Sequence, residues 1–363
     1  MLPYLNLQAA EAGLGRELSF AEKIWFNYSA NKHDFVLHSH NIIFLCFFYS
    51  LVPLPYMLVE LSRSKKIMKY KVQPKVQRSF WDMFKCYKDV MKSFLIVVGP
   101  LQILSYPTIN LIGIRTGLPL PSLWELLLQL GVYFLVEDYV GYWVHRWLHT
   151  KWGYENIHHV HHEYRAPIGF AAPYAHWSEI LILGFPAFLG PALIPGHIIT
   201  YWLWFILRQM EAIDTHSGYE FPWTKYIPFY AGAKFHDYHH YVGRQSHSNF
   251  SSVFTYGDYL YGTDKGYRCY MVLSNKKISG GVLLRKIWEW EKGLYGDGNW
   301  NMFSVYRSFD LSENRLLNIA GRWRPFFTQT ARSTDGKPSC ANGDTGNMKE
   351  HCRLTTFTGV DRF

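Results

Sequence analysis

The apolar positions of this chain are gathered into long runs. Residues 41–61, NIIFLCFFYSLVPLPYMLVEL, are almost wholly apolar. A helix of that length spans roughly 30 Å, enough for a bilayer core, and Pro53 and Pro55 kink such a span without forbidding it. A second run covers Phe94 to Ile112, and a turn with Gly117, Pro119 and Pro121 follows. A third run covers Leu123 to Val144. A split run, Ile180 to Ile194 and Ile198 to Leu207, is broken by Pro195-Gly196. Each half is short for a crossing, so the pattern predicts a deep helical hairpin. Upstream, Ser19 with Glu22 three residues later predicts a capping box opening a helix over SFAEKIWFNYSA, with Phe20, Ile24 and Trp25 at a membrane interface. From Tyr267 onward the periodicity fades. One helical piece is expected at LLRKIWEWEKGL, and the last forty residues read as poorly ordered. The expected fold is all-α: an integral membrane helical bundle of about three spans plus the hairpin. Its divisions are an N-terminal interfacial segment (1–40), a membrane domain (41–268) and an atypical tail (269–363).

Charge gives the bundle an orientation. The formal net charge is +9. Directly after the first run, RSKKIMKYKVQPK carries six Lys or Arg and no acid, as a cytosolic flank does. Its position against an apolar span argues against a nucleic-acid arm. Counting spans from there puts every histidine-rich block on the cytosolic side, beneath the membrane. The N-terminus lacks the layout of a cleavable signal. Five cysteines without a CxxC pair argue against a zinc ribbon or a disulfide framework.

Candidate chemistry lies in the histidines. Seventeen are present, thirteen of them between His145 and His247. Three blocks stand out: HRWLH (His145, His149), HHVHH (His158 to His162) and HDYHH (His236, His239, His240). Their i to i+4 and i to i+3/i+4 spacings place side chains on one helix face. His145, His149, His158, His161, His162, His236, His239 and His240 are the expected ligands. Eight imidazoles exceed what one ion holds, so two ions are expected, under a cytosolic histidine-rich helical cap. His159 points off the shared face. A zinc protease would need Glu in HExxH, and HRWLH has Arg146 there. Transport sites usually lie within spans, whereas these blocks flank them. Asp138 lies seven residues before His145 on the same face, and an intramembrane acid is a functional candidate. It is expected to hydrogen-bond a ligating imidazole and fix its tautomer. Glu137 is one position off.

These blocks, with EDYVGYWVHRWLH leading in, resemble the membrane-bound fatty acid hydroxylase superfamily. Within it, IHHVHHEYRAPIGFAAPYAHWSE, DTHSGYEFPW and FHDYHHYVGRQSHSNFSSVFTYGDYLYGTDKGY are most similar to plant sterol 4α-methyl oxidases of the 4,4-dimethylsterol type. The resemblance covers about residues 3 to 268. It implies two iron ions at the histidine blocks, although zinc fits such ligands too. It also implies O2 as co-substrate, electrons from NAD(P)H through cytochrome b5 and its reductase, and partners in sterol C4 demethylation. The implied reaction oxidises a 4α-methyl group stepwise to alcohol, aldehyde and carboxylate, in the endoplasmic reticulum membrane. Carried over to this sequence, it makes His216, in DTHSGY, a ninth ligand and His176 a conditional one. Asn249 is placed where it could approach a metal, His247 is left doubtful, and His197, at the hairpin tip, is excluded.

The competing readings are a sterol desaturase, a fatty acyl hydroxylase and a non-enzymatic zinc-binding membrane protein. The sequence beyond GTDKGY, beginning YMVLSNKKISGG, departs from the family pattern.

Overall fold

The computed structural model describes residues 4–243 and 246–275, which fall within one compact unit, Met1–Arg307. The expected helical piece at 283–294 and the tail read as poorly ordered lie outside the described residues. Among the described residues the chain is all-helical, with three isolated β-bridges and no strand.

Two short helices open the chain, α1 (Leu7–Leu14) and α2 (Phe20–Ser29). The α2 capping box is present: Ser19 Oγ accepts the Glu22 N–H and Glu22 accepts the Ser19 N–H. Phe20 and Ile24 are exposed, as an interfacial face requires, but Trp25 is not. It turns inward and donates Nε1–H to the Thr116 carbonyl. Next come α3 (Asp34–Leu51) and α4 (Leu54–Ser62), with Val52-Pro53 between them. Together Asp34–Ser62 is long and apolar enough to cross a membrane, and only 11% of its most apolar window is buried. Ile43 and Leu58 are about three-fifths exposed, an apolar surface of the kind that lipid covers.

The basic run forms α5 (Lys65–Met68) and then folds back. Lys71 is not the solvated flank that the sequence suggested. Its ammonium donates to both oxygens of buried Glu60, at 2.5 and 2.6 Å. Glu60 also accepts Tyr219 Oη at 2.5 Å and the Arg78 N–H. A carboxylate at the end of an apolar helix is tolerated because these donors replace its water.

The second predicted span is α6 (Phe80–Ser93), a π-helical turn at Phe94–Val98, α7 (Gly99–Leu104) and α8 (Tyr106–Ile112). It passes as a crossing element only if the pair Phe80–Leu104 and Tyr106–Ile112, bent by 45°, counts as one span. The third, α9 (Leu123–Leu148), has 26 residues but carries Glu125, Glu137, Asp138 and Arg146. By length and apolarity the described helices therefore supply one crossing element, or two with the bent pair.

After α9 come α10 (Lys151–Gly153), a π-turn (Tyr154–His158) and two short 3-10 turns. The hairpin is α11 (Trp177–Leu193) and α12 (Ile198–Thr215). Trp204 Nε1–H donates to the Ala187 carbonyl across it, and Tyr133 of α9 donates to the Ile194 carbonyl at its tip. The aromatic residues of α9 and the hairpin are packed into cores. Tyr133, Phe134 and Trp204 form one core with Ala187, and Trp202 joins a second beside Trp25; Phe205 packs against both. The cap closes with α13 (Gly232–Val242), α14 (Tyr256–Tyr261) and α15 (Lys265–Asn275).

Helix α11 lies directly on α9 because Gly190 has no side chain. A Cβ there would sit 2.7 Å from Tyr133 Cα and 2.8 Å from its ring. Backbone cannot yield as a flexible side chain can. Gly190→Ala is expected to cost about 1–3 kcal/mol, read as a lower unfolding midpoint of the detergent-solubilised protein.

Candidate metal centre

The histidine blocks sit on three different backbones. His145 is in the last turn of α9 and His149 is its C-cap. His158 ends the π-turn, and His161 and His162 open a 3-10 turn, so the second block is not on an α-helix. His236, His239 and His240 lie on α13, and His216 is the C-cap of α12. All nine are buried.

Their rings form two abutting groups. His145, His149, His158, His162 and His239 make one, and His161, His216, His236 and His240 the other, with the ligand atoms of each group within 4.8 Å of one another. The nearest rings across the boundary, His162 and His240, have centroids 4.7 Å apart. A single shared face was expected for each block, but both HX2HH blocks are split. The first and last histidines serve one group and the middle one the other. At about 100° per residue on a helix, i+4 lies some 40° to one side of i and i+3 some 60° to the other. Adjacent histidines therefore diverge by about 100°, and α13 uses that divergence directly. The π/3-10 backbone of the second block reaches the same division.

The inner atoms are Nε2. Nε2–Nε2 distances are 3.1 Å for His145–His158 and His162–His158, and 3.0 Å for His149–His239. In the second group they are 3.3 Å for His216–His161, 3.0 Å for His236–His216 and 3.2 Å for His240–His236. The outer atoms decide what those contacts are. Nδ1–H of His145 donates to the Phe250 carbonyl, of His161 to Tyr174, of His216 to Ala212 and of His239 to Ser248. A neutral ring protonated at Nδ1 presents only a lone pair at Nε2. Lone pairs facing one another at about 3 Å are repulsive, and a cation between them removes the repulsion. An ion about 2.1 Å from two imidazole nitrogens at right angles holds them ~3 Å apart. The donor set fits two metal ions on this ground. Burial, the largest cause, lowers the His145 and His161 pKa values to about 4. It also pushes the other seven well below the usual imidazole value, helped by neighbouring rings. At neutral pH the nine are therefore in the uncharged form that binds metal.

The remaining sequence candidates are placed elsewhere. His159 is exposed. His176 is the N-cap of α11, its Nδ1 accepting the Ser178 N–H, and lies in neither group. His197 caps α12 and bonds the Gly117 carbonyl. His247 is half-buried outside both groups. Asn249, at φ 61, spends its amide on the Phe235 carbonyl and its oxygen on the Ser248 hydroxyl.

Asp138 requires a correction. It lies on the expected face, but its carboxylate accepts the backbone N–H groups of Val253 and Phe254 and no imidazole. The 248–254 loop passes between them: its Ser248 and Phe250 carbonyls hold His239 and His145. Asp138 thus acts on the loop, and His145 is oriented by a carbonyl. Glu137 meets Arg208 at 2.8 Å, and Arg208 also reaches Glu211 and Ser252, tying α9, α12 and the loop together. Two buried carboxylates were missed. Asp258 accepts the N–H groups of Phe250 and Ser251 and the Thr263 hydroxyl. Glu179 accepts His158 Nδ1–H at 2.7 Å. Nothing local marks Asp258. Glu179 had one signal: it is a lone acid at the mouth of an apolar run.

Histidine groups of this kind on a helical scaffold define a metal-binding membrane-type protein, and the comparisons give the family. The fatty acid hydroxylase model matches residues 130–263. Methylsterol monooxygenase 1-2 of Arabidopsis thaliana is 62% identical over 295 residues, 77% of this chain and 99% of that protein. Methylsterol monooxygenase 1-1 of the same plant is 65% identical over 272 residues, 74% of this chain and 91% of that protein. A protein of Oryza sativa subsp. japonica named very-long-chain aldehyde decarbonylase GL1-10 is 64% identical over 270 residues, 74% of this chain and 90% of that protein. No solved structure matches the chain. The chain belongs to the fatty acid hydroxylase family.

Removing Asp258 should loosen the metal centre without touching a ligand. Asp258→Ala leaves two buried N–H groups without an acceptor, about 1–3 kcal/mol each. The expected outcome is a lower unfolding midpoint together with fewer metal ions per chain by elemental analysis.

Proposed function

We propose that this protein is a membrane-bound di-iron methylsterol monooxygenase. It oxidises the 4α-methyl group of 4,4-dimethylsterols in three steps to alcohol, aldehyde and carboxylate. One observation carries the reading: nine buried imidazoles converge by Nε2 into two abutting groups, in a chain 60–65% identical to three methylsterol monooxygenases. In this reading the metal ligands are His145, His149, His158, His162 and His239 for one ion, and His161, His216, His236 and His240 for the other. His176 is left as a helix cap.

An unactivated methyl C–H bond is beyond the reach of any side chain, and the iron pair with O2 supplies that oxidising power when bound. The chain's own part is geometric and electrostatic. Four ring protons are held on Nδ1 by backbone carbonyls, which keeps the facing nitrogens free as donors. Burial of all nine rings excludes water and keeps them uncharged. Phe250 closes one side of the first group, its ring 5.4 Å from His149 and 5.8 Å from His145. The Arg208 network holds α9 and α12, which end in ligands, against the loop whose carbonyls orient His145 and His239.

The setting is the endoplasmic reticulum membrane, crossed more than once, with the histidine groups on the cytosolic face. Electrons come from NAD(P)H through cytochrome b5 and its reductase, and the products pass to other C4-demethylation proteins. The exposed apolar face of α3–α4 and the basic run that follows it support this placement.

The rice relative's name gives a second reading, consumption of a very-long-chain aldehyde at the same site. Microsomes containing the protein distinguish the two. Given O2 and NADH, they are expected to convert a 4,4-dimethylsterol to its 4α-carboxy product and to leave a very-long-chain aldehyde untouched. His161→Ala should lower sterol turnover by at least 100-fold, while exposed His159→Ala keeps it. Aldehyde loss without sterol oxidation would decide for the second reading, and a fully active His161→Ala would remove that ligand.

A further inference from the structure

Glu179 is the N3 residue of α11, after the His176 cap. A carboxylate at N3 ordinarily reaches back to the N-cap N–H and closes a capping box. Glu22 does so in α2 and Asp82 in α6. In α11 the cap is served by His176 alone, and Glu179 turns the other way to His158. It is 1% exposed, and its second oxygen has no partner among the described residues. Burying a carboxylate for one hydrogen bond is costly unless further positive charge is near. The N-terminus of a 17-residue helix supplies part of it. A cation on the far nitrogen of His158 would supply the rest.

The position is singular among the nine rings. The Nδ1 partners of His145, His239, His161 and His216 are neutral carbonyls, and the Nδ1 atoms of His149, His162, His236 and His240 have no partner among the described residues. Among the described residues only His158 is backed by an acid, so there only the five-histidine group has one. A carboxylate behind an imidazole fixes the ring and raises its basicity toward metal more than a carbonyl does.

We propose that Glu179 is a positioning residue that acts through His158 and sets the two metal positions apart, making the five-histidine group the tighter and more electron-rich one. This rests on the reading above that the two groups hold a metal pair.

The test uses the full-length protein in detergent, loaded anaerobically with ferrous iron alone, as wild type, Glu179→Gln and Glu179→Ala. Glutamine keeps an oxygen that can accept the His158 proton and removes only the charge. The expected result for Glu179→Gln is an affinity about 10–100-fold lower for one of the two irons. The other iron is unchanged, and the reduction potential of the weakened one rises. A merely structural role would leave Glu179→Gln like the wild type and impair only Glu179→Ala. Wild-type iron affinity and potential in Glu179→Gln would overturn the inference. A wild-type protein that binds fewer than two irons would overturn the metal-pair reading, and the inference with it.

Discussion

Nine imidazole Nε2 atoms directed at two points are the constraint on which the rest of this structure depends. In His145–His158 and His161–His216, imidazole nitrogens 3.1 and 3.3 Å apart, with both ring protons committed to the outer side, do not hold one another. Something else must press them together, and most of the buried polar apparatus of the cap serves that end. Carbonyls of Phe250, Ser248, Tyr174 and Ala212 fix four rings. Asp258 and Asp138 hold the loop that carries two of those carbonyls. Arg208, between Glu137 and Glu211, holds the helices. Each of these groups is costly to bury alone and is stable here because its partners replace water. The repulsion they oppose becomes attraction when a cation occupies each point.

The two groups share a boundary because of helix arithmetic. On α13 the HX2HH block does not aim its three rings at one point, and the π/3-10 backbone of the second block reaches the same division. Adjacent histidines on α13 diverge by about 100°, so the block contributes rings to both groups. Two such blocks, facing each other, hold the two histidine groups side by side. The HX3H block, with both rings on one side, and His216 at the end of α12 complete five and four. The polar network and the apolar hairpin meet at this point. The hairpin brings His216 into place because α11 and α12 pack on α9 and α3, and Gly190 permits the close approach that packing needs.

Membrane placement and the cap are joined through one ion pair. Glu60, at the end of the most apolar helix, is held by Lys71, Tyr219 and Arg78. Tyr219 lies three residues after His216. A basic run that reads as a simple cytosolic flank therefore also locks the end of the first span to the strand of chain carrying a ligand histidine. Lys71 makes the lock, and Arg63, Lys65, Lys66, Lys69 and Lys75 remain exposed as the flank.

Much of this was legible in the sequence. Apolar runs gave the helices and the hairpin, Ser19 and Glu22 gave the α2 cap, and histidine spacing gave the residues that the fold brings together. These are local properties, set by period and by neighbours within one turn. What each buried acid does was not legible. Asp138, inside one apolar run, and Glu179, at the mouth of another, are both acids among apolar residues, and only their tertiary partners show that one holds backbone and the other a ring. The division of each histidine block depended likewise on where the opposing helix stood. Trp25 and Lys71 turned inward because distant segments, Thr116 and Glu60, offered them partners. Period and composition determined which elements form and which chemistry they carry. Contacts between residues far apart in the chain decided which atom each polar group meets, because a buried polar group goes wherever the fold supplies its partner.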